Sequence, residues 1–382
     1  MPHQNIVFGD LLKLVSWDQF EASVRRHGGD DRQRGFKTKT QFIALLYGQF
    51  SGASSLREIV CHLESHEAKL YHLGSGTVKR STFAEANAQR PSAIFSELME
   101  ALKLRVHRRL RREIGELVYL IDATSFRLNS LSADWARFSA GVEGAKAHII
   151  YDPQADCPVY NLVTPARVND ITAAQSMPIE PDATYVFDLG YYHYAWWAKL
   201  HGAGCRFVTR LKNRTQLRLI NEYAVPDGSD ILCDRIGYLP QRQAKNRKNP
   251  LDVPVREIHV RIQTGKVLRI LTNDLNASSQ EIAELYKRRW AIELFFRWIK
   301  QALKIRKFIG TSENAVRIQI AVALIAFLLL RLAHITVKSK LPALDFARIL
   351  RANLMHKRRL DQLHPSDFRP PGCPKQTAFA WT

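Results

Sequence analysis

Two short apolar runs that each stop at an aspartate constrain this chain most: "ELVYLIDATSFRL", whose apolar stretch ends in Asp122, and "TYVFDLGYY", which reaches Asp188. Both are short and rich in β-branched and aromatic residues, so they read as buried strands. Between them, "AHIIYD" and "CPVYNLVTPA" flank the turn "DPQAD" and predict a hairpin, and "NDITAAQSMPI" suits a helix. Beyond them, "HYAWWAKLHGAG" reads as helix and "CRFVTRLKN" as strand. The order β, hairpin, α, β, α, β predicts an α/β fold: a mixed sheet with helices on its faces. In such sheets the loops past the strand ends open a crevice where reactive groups collect. A lone aspartate there is ordinarily a cap or turn residue, but two on neighbouring strands point to a site. A third carboxylate on the same edge would complete an all-oxygen site for hard divalent cations.

The third acid is found in "ELYKRRWAIELFFRWIK", residues 284–300. At 100° per residue, Tyr286, Arg289, Glu293, Lys300 and Arg297 fall on one face of a helix, spread over about 80°. Leu285, Ile292, Phe296, Ile299 and Leu303 form an adjoining apolar stripe that can pack on a sheet. Pairing of Glu293 with Arg289 or Arg297 is worth only ~0.3–0.5 kcal/mol, and leaves Lys287, Arg288, Lys300, Trp290 and Trp298 unexplained. A phosphodiester lying along the helix accounts for them. Three acids would hold metal ions, and the bases would hold phosphates and stabilise transition-state charge.

The flanks complete the organisation. Residues 1–115 carry three-to-four spacing in "VFGDLLKLVSW", "TKTQFIALLYGQF" and "SLREIVCHL", which predicts a helical N-terminal domain. Thr82 and Glu85 fit a capping box. A long helix from "SAIFSELMEALKL" ends in Arg105, His107, Arg108, Arg109, Arg111 and Arg112, cations that suit either the helix dipole or a DNA backbone. Four strand-like runs between about 214 and 275 predict a β-rich insertion, with the basic loop "QRQAKNRKN" among them. The apolar run "IQIAVALIAFLLL", 318–330, is bracketed by Arg317 and Arg331 and is too short to cross a bilayer, so a buried core helix and no membrane are expected. A catalytic region would span 116–335, and a tail, helical then Pro-rich, 336–382.

Charge decides the partner. The 56 Lys and Arg against 36 Asp and Glu leave a net +20, an excess that fits a polyanion, because each neutralised phosphate releases counterions. Five scattered cysteines without C-x-x-C spacing argue against zinc or a disulfide framework and for a reducing cytoplasm. No Gly-rich phosphate loop, Ser/His/Asp set or dinucleotide fingerprint supports a metabolic enzyme.

The spacing Tyr286-x2-Arg289-x3-Glu293-x6-Lys300 resembles the Tyr-Arg-Glu-Lys motif of bacterial insertion-sequence transposases of the Insertion Sequence 4 family, which use an Asp-Asp-Glu triad. "LIDATSF", "VFDLGYYHY" and the block running from "TNDL" to "FFRWIK" are similar to that family's landmarks, and "SLREI" with "STFAEANAQR" to the helical domain before its core. The resemblance implies an RNase H-like catalytic domain interrupted by a β-rich insertion. It implies that Asp122, Asp188 and Glu293 are catalytic and bind two Mg²⁺ ions, with Mn²⁺ as a substitute. It further implies that Tyr286, Arg289 and Lys300 contact the transposon end, that strand cleavage and transfer pass through a hairpin, and that a homodimer holds the paired inverted-repeat ends of double-stranded DNA. A flipped base stacked on an aromatic side chain is also implied, with Trp290, Trp298 and Tyr238 as candidates.

Weaker candidates for DNA contact lie on the sheet. Lys146 and His148 alternate with apolar residues in "GAKAHIIYD", as do Arg210 and Lys212 in "FVTRLKN"; a solvated strand face explains each pair nearly as well. Two other functions stay open: a two-metal nuclease or resolvase that only hydrolyses, and a non-catalytic DNA-binding repressor derived from a transposase.

Overall fold

The computed structural model describes residues 6–363 except 32, 34, 111–115, 140–141, 226–227, 243–247 and 303–307. Arg111, Arg112, Leu303, the centre of the "QRQAKNRKN" loop and the Pro-rich tail fall outside the described residues. Two compact units emerge. One is built from the chain up to Leu102 and from Ile318 onward, the other from Lys103–Gln301 and the residues up to Arg317.

The first unit begins with helices α1 (Val7–Leu12), α2 (Trp17–Arg26), α3 (Thr38–Ser51), α4 (Leu56–Glu64), α5 (Glu67–Leu70), α6 (Arg80–Gln89) and the first half of α7 (Ala93–Leu110). Its core is aromatic: Phe20 and Phe42 lie 5.2 Å apart by ring centroid, and Phe95 packs on both. Helix α3 is apolar on nearly every side and is buried accordingly. Gly48 lets α4 approach, since a Cβ there would sit 2.4 Å from Ile59 Cδ1. Helix α6 starts at Arg80 with Lys79 as its N-cap and no side-chain cap. Thr82 therefore lies inside the first turn, and the capping box expected from Thr82 and Glu85 is not formed.

The second unit is organised by a ten-stranded sheet. Its strands are β1 (Val118–Arg127), β2 (Arg137–Ser139), β3 (Val142–Asp152), β4 (Cys157–Pro165), β5 (Thr184–Val186), β6 (Arg206–Arg210), β7 (Arg218–Glu222), β8 (Ile231–Tyr238), β9 (Val255–Arg261) and β10 (Val267–Thr272). The order is β2-β3-β1-β5-β6-β10-β9-β8-β7, with β4 also paired to β3. Strands β1, β3 and β4 are antiparallel, whereas β5 runs parallel to both β1 and β6. The expected hairpin is β3–β4, and the four runs of the β-rich segment are β7 to β10. These four continue the same sheet, because β10 pairs antiparallel with β6.

Helices α8 (Ala133–Ala136), α9 (Asp170–Ala174), α10 (Tyr194–Gly202), α11 (Ser279–Arg288) and α12 (Trp290–Ala302) accompany the sheet. Trp197 of α10 is fully buried, stacks on Phe207 of β6 at 5.5 Å and donates its indole N–H to the Tyr191 carbonyl. Ser278 and Glu281 form a reciprocal capping box that starts α11.

The first unit is completed by the greater part of α13 (Glu313–Thr336) and by α14 (Ala343–Ala352). The apolar run within α13 is only part of a 24-residue helix, which is long and apolar enough to cross a membrane, so the length argument does not hold. Burial does: 83 % of its apolar window is covered by protein, as in the core helix of a folded domain.

Candidate active site beyond the parallel strand pair

Register places the two aspartates. Leu120 of β1 pairs with Val186 of β5, so Asp122 and Asp188 each stand two residues beyond the same pair. Asp122 is not at the end of its strand, because β1 continues to Arg127 on the β3 side, where Asp122 is opposite Ile149. Asp188 leaves β5 and caps the following turn, its Oδ1 accepting the Gly190 N–H at 2.8 Å. The conformation is an ordinary cap, placed at the edge where the parallel pairing stops.

Glu293 arrives on α12, which packs on the Asp122 face of the sheet. Residues of even number on β1 share that face. Phe126 there meets Lys300 at 5.5 Å from the ring centroid, and Tyr151, opposite Leu120, meets Phe295 at 4.9 Å. Ile292, Phe295, Phe296 and Ile299 are buried, so the apolar stripe is wider than the sequence spacing implied, and Leu285 is only half-buried. The expected single helix is two: α11 ends at Arg288, Arg289 makes a tight turn with its N–H on the Tyr286 carbonyl, and α12 restarts at Trp290.

Arg289 is the hub. Its Nη2 lies 2.7 Å from Glu293 Oε1, its Nη1 3.7 Å from Asp122 Oδ2, and its guanidinium 5.7 Å from the centre of the Tyr286 ring. Burial pushes the Asp122 carboxyl up to about 6; the charges of Asp188 and Glu293 add to this, while the Ala123 N–H and Arg289 oppose it. Three carboxylates thus share one edge, Asp122 the buried one of them, with one guanidinium between Asp122 and Glu293. Their all-oxygen donor set fits hard divalent cations, and a cation there would offset the burial that raises the Asp122 carboxyl. Among the described residues, no three Asp, Glu, His or Cys side chains close on one metal-sized point, with Arg289 standing between Asp122 and Glu293.

The other basic candidates divide. Tyr286 is 8 % exposed and lies within the field of Arg289 and Arg210, and the Arg210 Nε is buried without a hydrogen-bond partner. Arg297 is exposed, and Lys212 is exposed with its ammonium 4.2 Å from the centre of the Tyr192 ring. Lys146 and His148 pair with Ser125 and Ala123, so they project from the face opposite Asp122. His148 is fully buried, donating to or accepting from Thr164 at 2.9 Å, and Lys146 donates to Asp170 at 3.0 Å. As placed, His148 has no surface for DNA. Sequence reasoning passed over Asp170 and Tyr191, both of which border the site; an Asp at a helix start and a Tyr in an aromatic run carry no distinguishing mark.

Comparison with known proteins places the chain in a family. The family described as Transposase DDE domain matches residues 113–329, and one described as a domain of unknown function matches residues 3–75. A Sinorhizobium fredii protein named as a transposase, y4zB, is 38 % identical over 308 residues, covering 78 % of this chain and 85 % of the relative. A Geobacillus stearothermophilus protein named as a transposase for insertion sequence element IS5377 is 28 % identical, covering 84 % and 83 % of the two chains. A Synechocystis protein named for element IS4SA is 26 % identical, covering 76 % and 82 %. Asp122, Asp188 and Glu293 all fall within the matched span, and on these grounds the chain belongs to the DDE transposases, enzymes of bacterial insertion sequences.

Proposed function

We propose that this transposase belongs to the Insertion Sequence 4 group and cuts and joins DNA at its element's ends with Asp122, Asp188 and Glu293 as the catalytic acids. The observation that carries this reading is the register: both aspartates stand two residues past the Leu120–Val186 pair, on the edge that α12 supplies with Glu293. The strand order β4-β3-β1-β5-β6, antiparallel and then parallel, supports an RNase H-like core, with β7 to β10 as the segment inserted before the final acid. Two Mg²⁺ ions held by the three acids would supply the charge that clamps the attacking and leaving oxygens of an in-line displacement.

This chain's own groups do the rest. Arg289, now paired with two acids, is the cation placed to turn toward a phosphate as those acids are neutralised. Lys300 and Arg297 continue the cationic track along α12, and Tyr286 holds the Arg289 guanidinium from behind. Arg210 and Lys212 extend it at the end of β6. Trp290, 55 % exposed beside this track, is the best placed of the aromatics to receive a flipped base. The helical unit reads the inverted repeat, and a homodimer pairs two ends so that cleavage, hairpin formation and strand transfer occur together.

The test is an end-labelled DNA carrying the element's terminus, incubated in Mg²⁺, with nicked, hairpin and joined products scored separately. All three are expected. Nicks without joining would make the protein a nuclease, and no cleavage at any pH would leave a DNA-binding repressor. Because Asp122 must lose its proton to bind a cation, and burial raises that carboxyl in the metal-free protein, the cleavage rate at subsaturating Mg²⁺ should fall as pH is lowered from 7 to 5 and be restored by added Mg²⁺. A rate flat between pH 5 and 7 at subsaturating Mg²⁺ would contradict the role given to Asp122.

A further inference from the structure

Behind the catalytic edge, on the sheet face opposite Asp122, sits a second charged group. Asp170 opens α9, and its Oδ1 accepts from Lys146 at 3.0 Å and lies 3.8 Å from the Nδ1 of the fully buried His148. Lys146 also donates to the Val168 carbonyl at 3.2 Å, so the ammonium is fixed rather than solvated. The other oxygen, Oδ2, is turned toward Gly190. A Cβ added at Gly190 would lie 3.3 Å from Asp170 Oδ2 and 3.0 Å from Asp188 Oδ1, so the two carboxylates flank Gly190 from either side with little room for a side chain.

A buried, unpartnered hydroxyl marks the same place. Tyr191 is 1 % exposed and its hydroxyl has no hydrogen-bond partner. Burial pushes its acidity far from the usual tyrosine range, and the charges of Asp122, Asp170 and Asp188 push it further in the same direction. One buried atom thus feels all three carboxylates, which puts Asp170 in the same electrostatic neighbourhood as two acids of the triad. No other part of the proposed reaction uses Asp170, Lys146 or the His148 Nδ1, which makes no hydrogen bond.

We propose that Asp170 is a fourth acid of the reactive edge, a positioning residue whose charge strengthens the hold of Asp122 and Asp188 on a divalent cation, and that Lys146 sets how much of that charge the edge feels. This rests on the reading of Asp122, Asp188 and Glu293 as the cation-binding acids. Asp170 touches neither the cation nor DNA; it acts through Asp188 and across Gly190. The opposing Lys146 gives the proposal a sign that a purely structural role lacks, since removing the acid and removing its partner must change cation affinity in opposite directions.

The experiment measures Mn²⁺ affinity of the full chain by electron paramagnetic resonance of the free ion, with no DNA and no turnover. Asp170→Asn is expected to weaken binding about tenfold and Lys146→Met to tighten it by a similar factor, while Glu293→Gln and Asp122→Asn serve as controls that lose it. Thermal unfolding in chelator checks that each variant folds; if Asp170→Asn does not, the direction of Lys146→Met decides alone. Unchanged affinity in the folded variants, or a change of the same sign in both, overturns the proposal and leaves the Lys146–Asp170 pair structural. Wild-type affinity in the two controls would instead overturn the assignment of the three acids.

Discussion

Asp122→Asn should reduce strand cleavage by about a thousandfold or more and, at the same time, make the metal-free protein more stable at neutral pH. On the proposed assignment of Asp122 to a cation, the first effect follows from the loss of one metal-binding carboxylate, since a bound metal contributes several kcal/mol to the transition state. The second follows from the position of Asp122. Its carboxyl is held up to about 6, mainly by burial and then by Asp188 and Glu293, so its ionised form is disfavoured in the folded protein. For an acid with a raised folded pKa, the sign is fixed. Stability is full below the unfolded value near 4, where the group is neutral in both states, and is lost as pH rises through about 6. At pH 7 the ionised side chain thus costs the fold up to ~3 kcal/mol. Asparagine keeps the shape and removes that cost. Thermal unfolding in chelator should show the variant more stable at pH 7 and indistinguishable from wild type near pH 4. A variant equally stable or weaker at pH 7 would mean that Asp122 is not strained by its neighbours.

Glu257→Gln should destabilise the catalytic unit by ~3–5 kcal/mol, the range for leaving buried charges without their partner. Glu257 on β9 is fully buried and accepts from Arg235 at 3.0 Å, His259 at 2.8 Å and Arg269 at 2.5 Å. Burial alone would raise its carboxyl, but the bonds from Arg269 and His259 outweigh it and hold the group below its usual range. An amide can satisfy the acceptor role on one side only and turns its NH₂ toward a guanidinium on the other. The consequence reaches the loop after β6, because Arg269 also donates to the carbonyls of Lys212, Asn213 and Thr215. Unfolding by heat should fall by about 10 °C, and the loop after β6 should exchange its amide hydrogens faster. A fall of only a degree or two would show that the network is not what joins β8 to β10 to that loop.

Local pattern carried a good part of the architecture. The β3–β4 hairpin and all four strands β7 to β10 stand where alternation and turn residues put them. What alternation does not encode is pairing across long sequence separation, so the joining of β10 to β6, which makes one sheet of two segments, was invisible. Helix periodicity put Tyr286, Arg289 and Glu293 on one side and the i,i+4 spacing anticipated the Arg289–Glu293 pair, yet it assumed a continuous helix, and neither the turn at Arg289 nor its approach to the distant Asp122 is contained in a local rule. The apolar run 318–330 understates α13 because Arg317 and Arg331 end the run without ending the helix. For Lys146 and His148, period two states that they share a face but not which face, and the register with β1 turned them away from Asp122. Asp170 was unreadable for a related reason: its partners, Lys146, His148 and Gly190, are distant in sequence and meet only in the fold.

The central claim is that Glu293 acts on the same phosphodiester as Asp122 and Asp188, and one paired measurement reaches it most directly. Glu293→Gln and wild-type protein are compared for gel-shift binding to the element's terminal DNA and for nicking of that DNA in Mg²⁺. The account predicts end binding within a few-fold of wild type, since the Arg289 and Lys300 cations remain, together with no detectable nicking. Nicking by Glu293→Gln at the wild-type rate would contradict it.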